Sequence, residues 1–106
     1  MMTYKFLLID KFGKKYIVKI EDLLVGRVFD DIVLVKQFIA TDRDGNDVYE
    51  TNRVKRIKYW YEDVETGIHE YRPFDDKFGH LATFADYDAI WDGEVILMEA
   101  ASHEDD

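Results

Sequence analysis

Residues 53–72 read RVKRIKYWYEDVETGIHEYR, and the fold class turns on how this stretch is parsed. Along Arg53–Glu62, Ile57, Tyr59 and Tyr61 recur at every second position, while Arg56, Lys58 and Trp60 occupy the alternate ones. That is the period of a strand, whose successive side chains leave opposite faces. Its aromatic and β-branched residues suit a pleated, half-buried surface. Thr66-Gly67 supplies a turn, and Ile68–Arg72 can return as the partner strand. Pro73, the only proline, stops that return because it has no N–H to give to a ladder.

The same alternation extends upstream. Tyr4, Phe6 and Leu8 share one face of Tyr4–Ile9. Asp10–Lys14 has turn chemistry, and Tyr16, Val18 and Ile20 continue the alternation, which predicts a β-hairpin. Glu21–Gly26 fits one helical turn ended by glycine. Ile32–Ile39 begins with four consecutive apolar residues, which predicts a buried strand. Asp42-Arg43-Asp44-Gly45-Asn46 is the strongest turn signal in the chain. Downstream, Phe74–Asp92 fits a short helix or irregular structure equally well. Asp92-Gly93 marks a further turn, and Glu94–Glu99 a last strand. The pattern carries no internal repeat, linker or low-complexity segment. It predicts a mainly β fold: a small antiparallel β-barrel or meander of five to six strands, with at most one or two short helices. Residues 1–101 form one small β domain in this reading, and 102–106 an acidic disordered tail.

Charge is distributed unevenly over the 106 residues. The formal net charge is -9, yet residues 1–60 hold 12 Lys/Arg against 9 Asp/Glu. Residues 61–106 hold only Arg72 and Lys77 against 14 acids. Aromatic residues interleave with those acids. An acidic surface studded with aromatics is one way to meet a basic partner, although ordinary solubility charge on a small domain reaches about 2–8 in magnitude. The candidate interaction surface therefore comprises Trp60, Tyr61, Glu62, Asp63, Tyr71, Asp86, Tyr87, Asp88 and Trp91. The excess of acid also opposes a protein that coats nucleic acid with its whole surface.

The chemistry-bearing residues are sparse. With no cysteine, disulfides, thiol catalysis and Cys-based metal sites are excluded. The acids around Gly45 lack the EF-hand spacing: with Gly45 sixth, the first and twelfth places fall on Ala40 and Thr51. His69, His80 and His103 have no helical spacing that would gather a metal site. There is no Gly-rich phosphate loop and no Gly-x-Ser-x-Gly. The expectation is a non-enzymatic protein with no cofactor and no metal. Arg53, Lys55, Arg56 and Lys58 precede Tyr59, Trp60 and Tyr61, the composition of a single-strand-binding strand. Alternation leaves the basic face only two to three residues wide, so direct nucleic-acid binding is not expected. No apolar run approaches 18 residues and no N-terminal signal pattern precedes the first strand, so a soluble cytosolic protein without a membrane partner is expected.

One element carries a family resemblance. From Phe38 to Glu50 the chain reads FIATDRDGNDVYE, followed by Thr51-Asn52-Arg53-Val54. This is similar to the signature of the YopX-like proteins of phages and prophages, D-x-x-G-x-x-(I/V)-(Y/F)-E-G-D-x-V. Asp42, Gly45, Val48, Tyr49, Glu50 and Val54 match; Thr51-Asn52 stand where the family has Gly-Asp. The resemblance covers about 20 residues. It implies a small, mainly β, barrel-like domain encoded by a phage or prophage, acting in the bacterial cytoplasm, with no catalytic residues to carry over. The first functional expectation is therefore an accessory protein that binds another protein. The second is an acidic inhibitor that covers a basic, nucleic-acid-binding surface of a host protein. Oligomeric state is open, since an exposed sheet edge can pair with a second chain.

Overall fold

A computed structural model describes residues 4–98. The tail expected at 102–106 lies outside them. Nine strands, two short helices and a 3-10 turn make up the described chain. The first hairpin joins β1 (Lys5–Asp10) to β2 (Lys15–Lys19), and α1 (Ile20–Leu24) follows directly. β3 (Ile32–Thr41) returns along the other side of β1, and β4 (Asp47–Tyr49) adds to β3. The resulting sheet has the order β2-β1-β3-β4. β5 (Arg53–Arg56) lies between β8 (His80–Leu81) and β9 (Val95–Leu97) in a second sheet. β6 (Lys58–Glu62) and β7 (His69–Pro73) form a separate two-stranded ribbon. The 3-10 turn Phe84–Asp86 leads into α2 (Tyr87–Trp91).

The architecture is mainly β and antiparallel. It takes the meander form, with no closed barrel among the described residues. Strands exceed the expected five to six because β4 and β8 are only three and two residues long. Such short strands leave no periodic trace in a sequence. The expected Arg53–Glu62 strand also divides at Ile57. There the Ile57 N–H donates to the Glu94 carbonyl (2.8 Å) and its carbonyl accepts from the Phe74 N–H (2.9 Å). The chain changes partners at that residue, from β9 to β7.

The core gathers where the two larger sheets meet α2: Ile39, Ala40, Val48, Val54, Ala82, Ile90, Val95 and Leu97. Only the second half of β3 reaches it. Phe38, Ile39 and Ala40 are buried, but Val33 and Val35 are 67% and 56% exposed. The expectation that Ile32–Ile39 is a buried strand is corrected accordingly. The strand forms, but its apolar first half overhangs the core. This overhang and the separate ribbon stretch the molecule to 59 × 29 × 18 Å, with a radius of gyration of 16.8 Å. A compact domain of this length has about 13 Å.

Two of the turns share one hydrogen-bond pattern. Asp10 and Asp42 are both buried, and each opens an Asp-x-x-Gly turn. Each holds two backbone N–H groups on its Oδ1 at 2.9 Å: those of Phe12 and Lys14, and those of Asp44 and Asn46. The Gly13 and Gly45 N–H groups close the turns onto the Asp10 and Asp42 carbonyls at 3.0 Å. Both glycines have positive φ, +86° and +84°, which glycine adopts without a Cβ penalty. The second carboxylate oxygens differ in reach. Asp10 meets the Tyr16 hydroxyl (3.2 Å), whereas Asp42 accepts from the Leu97 backbone N–H (2.8 Å) in another sheet.

Candidate functional site

The β6–β7 ribbon carries most of the expected interaction residues. Its register pairs Lys58 with Pro73, Trp60 with Tyr71 and Glu62 with His69, so these six side chains share one face. Tyr59 pairs with Arg72 and Tyr61 with Glu70 on the reverse face. The ring centroids of Trp60 and Tyr71 lie 4.8 Å apart, those of Trp60 and His69 5.6 Å, both edge-on. Lys58 Nζ stands 4.2 Å over the Tyr71 ring. On the reverse face, the Arg72 guanidinium lies 3.5 Å from the Tyr61 ring centre, and Tyr59 meets Phe74 edge-on at 6.2 Å.

Cross-strand aromatic pairs of this kind contribute about 0.5–1.5 kcal/mol beyond the area they bury. They matter here because an isolated two-stranded hairpin is marginal in water, and this ribbon hydrogen-bonds to neither larger sheet as a strand. These edge-on contacts leave the rings open to solvent nonetheless: Trp60 is 53% exposed and Tyr71 42%. The ribbon's root borders the Asp92–Glu94 turn. A Cβ on Gly93 would stand 3.9 Å from Lys58 Nζ. Partial desolvation, then the charges of Glu94 and Asp92, hold the Tyr71 hydroxyl above its ordinary pKa.

The expected surface residues separate in the structure. Trp60, Glu62 and Tyr71 stand together on one face, and Tyr61 lies behind them. Asp63 opens the ribbon's loop, accepting from the Glu65 and Thr66 N–H groups at 2.9 and 3.3 Å. Asp86 caps the 3-10 turn through the Thr83 N–H and meets His80 Nε2 at 2.8 Å. Tyr87 packs on the core. Asp88 is exposed on α2 and Trp91 is 71% exposed. Lys58 and His69 belong to the aromatic face, and Asp92 and Glu94 to its border, although the sequence reading left all four out of the interaction surface. The hairpin register is the signal that would have found the first two.

Many acids of the second half are engaged within the chain. Glu94 bonds Arg56 (2.8 Å), Glu70 bonds Arg72 (3.1 Å) and Glu62 approaches His69 (3.6 Å). Asp76 accepts from the Arg56 and Gly79 N–H groups (3.1 and 3.0 Å). Of the basic cluster, Arg56 faces Glu94, Lys58 faces Tyr71, and Arg53 donates to the Phe78 carbonyl (3.0 Å). No group of three His, Asp or Glu side chains could hold a metal ion among the described residues. No helix among them is long and apolar enough to cross a membrane.

The turn motif is placed at the centre of the fold. Val48 and Tyr49 are buried. The Glu50 carboxylate accepts from the Gln37 N–H (3.0 Å), extending the β3–β4 pairing by a side chain. Thr51 takes φ +64°, in the second turn, where the similar family pattern has glycine. No protein-family model matches the chain, nor does any curated protein or solved structure.

Proposed function

We propose that this chain is a non-enzymatic accessory protein of phage or prophage origin that binds another protein in the bacterial cytoplasm through its β6–β7 ribbon. One observation carries the binding role. Trp60 and Tyr71 meet edge-on, half exposed, and bordered by Glu62, Asp92 and Glu94 on a ribbon outside the main sheets. Large aromatics held rigid beside acids suit a partner rich in Arg and Lys, through packing and cation–π contacts. The phage origin rests on the YopX-like turn. The positive φ of Thr51 supports that resemblance, because the chain keeps the backbone geometry that glycine would serve. The non-enzymatic reading rests on the lack of catalytic motifs in the sequence.

A second reading is favoured by the concentration of acids on the ribbon and its loop: Glu62, Asp63, Glu65 and Glu70. The partner is then a basic, nucleic-acid-binding protein whose surface the ribbon covers. Pull-down from bacterial lysate with the wild-type chain and with Trp60→Ala/Tyr71→Ala separates the cases. A partner retained by the wild type and lost by the variant supports the ribbon; equal capture by both refutes it. Release by high salt and competition by DNA or RNA mark the inhibitor reading. Phage genes flanking the coding sequence are the expected genomic context.

A further inference from the structure

Part of β3 is an open edge. β4 pairs with β3 only from Phe38 to Thr41, and Glu50 carries that pairing on to Gln37 through its N–H (2.9 Å) and carboxylate (3.0 Å). Along residues 32–36, no described strand lies on the side of β3 away from β1. Native sheet edges are commonly blunted by a charge, a proline or a covering segment. Ile32-Val33-Leu34-Val35 has neither charge nor proline, and Val33, Val35 and Leu34 are 67%, 56% and 44% exposed. The apolar surface continues into the segment ahead of the strand, where Val25 and Val28 are exposed as well.

The backbone of this edge is aimed outward at both ends. The N–H and carbonyl of Gln37 meet Glu50, on the side away from β1. Backbone groups alternate in direction along a strand, so those of Val35 point the same way. At the other end the Asp31 carbonyl accepts from the Lys11 N–H (2.8 Å), toward β1, so the groups of Ile32 also point away. A bulge reconciles the two ends: β1 pairs Ile9 with Leu34 but Asp10 with Ile32, which makes Val33 the additional residue. Ile32 and Val35 oppose Asp10 and Leu8, and therefore share one face of the sheet. Three positions apart in a regular strand, they would lie on opposite faces.

We infer that this edge pairs antiparallel with the same edge of a second copy of the chain, setting Ile32 opposite Val35, Val33 opposite Leu34 and Asp31 opposite Lys36. The alignment is self-complementary. Each pair occurs twice about a two-fold axis, which is the isologous contact of a closed dimer. The outward backbone groups of Ile32 meet those of Val35, and each sheet face continues as itself into the second copy. A slip by one residue would oppose residues of different faces. The charges match too. Lys36 has no ion-pair partner among the described residues, and Asp31 is held only by the long, exposed bridge to Lys11 (3.5 Å). The stretch is bounded by Glu50 at one end and by the turn at Asp31, φ +62°, at the other. So short an interface gives a dissociable dimer rather than an obligate one. The ribbon takes no part in it, so the dimer stands apart from the protein-binding role.

Sedimentation velocity on the full chain, from about 1 µM to about 1 mM, covers the range in which a small interface dissociates. A reversible monomer–dimer equilibrium is the expected result. Val33→Lys places a charge at the centre of the edge and should abolish the dimer. Because Val33 is exposed, circular dichroism and the urea midpoint should stay as in the wild type. Lys36→Glu meets Asp31 of the second copy with like charge at both ends, and should raise the dissociation constant about tenfold. Adding Asp31→Asn, which tolerates the positive φ, should recover part of that loss. A chain that stays monomeric to about 1 mM, species larger than a dimer, or a dimer that Val33→Lys and Lys36→Glu leave intact overturns the inference. So does a dimer dissociated by Trp60→Ala/Tyr71→Ala, which would place the contact on the ribbon.

Discussion

The Asp42 carboxylate accepts the backbone N–H of Leu97 at 2.8 Å, tying the turn after β3 to the final strand across 55 positions of sequence. The same carboxylate organises its own turn through Asp44 and Asn46. Asp42→Ala leaves a buried strand N–H without an acceptor and loosens the turn as well. Hydrogen bonds to a charged group contribute about 1.5–3 kcal/mol each. Urea unfolding should therefore show a loss of at least about 3 kcal/mol. Asp10→Ala, whose second oxygen meets only the Tyr16 hydroxyl, should cost less. Equal losses would show that the bond to Leu97 adds nothing.

Thr51 holds a β-branched side chain at φ +64°. The left-handed region costs an L-residue roughly 1–2 kcal/mol, part of which glycine returns through its greater freedom when unfolded. Thr51→Gly should therefore stabilise the chain by up to about 1 kcal/mol, read as a higher urea midpoint. Thr51→Val, which keeps the branching, should bring no gain. The turn is fixed at both ends, since the Thr51 N–H donates to Ala82 and the Ala82 N–H to Asn52, both at 2.8 Å. The strain persists because neighbouring bonds over-determine the backbone.

Tyr49→Phe removes a buried hydroxyl that has no protein partner among the described residues. Leaving such a group unpaired costs about 1–3 kcal/mol. The variant should be at least as stable as the wild type in thermal or urea unfolding, with the Phe38–Tyr49 ring contact kept. A clear loss of stability would mean that the hydroxyl has a partner in the folded chain.

Asp76 has its pKa lowered, first by the Arg56 N–H, then by the Gly79 N–H. A depressed folded pKa contributes stability that is present above the unfolded value of 3.8 and is lost as pH falls through the folded value. Asp76→Asn should therefore be less stable than wild type at pH 7, and the gap should narrow on acidification below about pH 4. Unfolding midpoints across pH 2.5–7 check this. A gap that stays constant would remove Asp76 from the acid response.

The strands that were legible in the sequence were those of hairpins whose turns are marked by their own residues: Lys5–Asp10, Lys15–Lys19 and His69–Pro73. Pro73 ends its strand, as a residue without an N–H should. Burial was less legible. The run Ile32–Val35 has the composition of a core strand, yet nothing in those residues says where the facing layer stops. Ile57 gave no sign that the chain changes partners, because alternation persists through a change of sheet. The interaction residues were assembled from composition alone. Trp60 and Tyr71 meet because the hairpin register sets them opposite, whereas Asp63 and Asp86 were drawn into local caps. The shared pattern of Asp10 and Asp42 was hidden because two matching letters in four are too few to show as a repeat.

The Phe74 N–H meets the Ile57 carbonyl at 2.9 Å, closing the base of the ribbon. Everything from Lys58 to Pro73 leaves and re-enters the body through that one gate. Sixteen residues can thus change their chemistry while the Asp42–Leu97 tie and the Ile90 core stay as they are. Such a layout separates heredity of the scaffold from variation of the head: the ribbon's sequence can be exchanged without having to solve folding again.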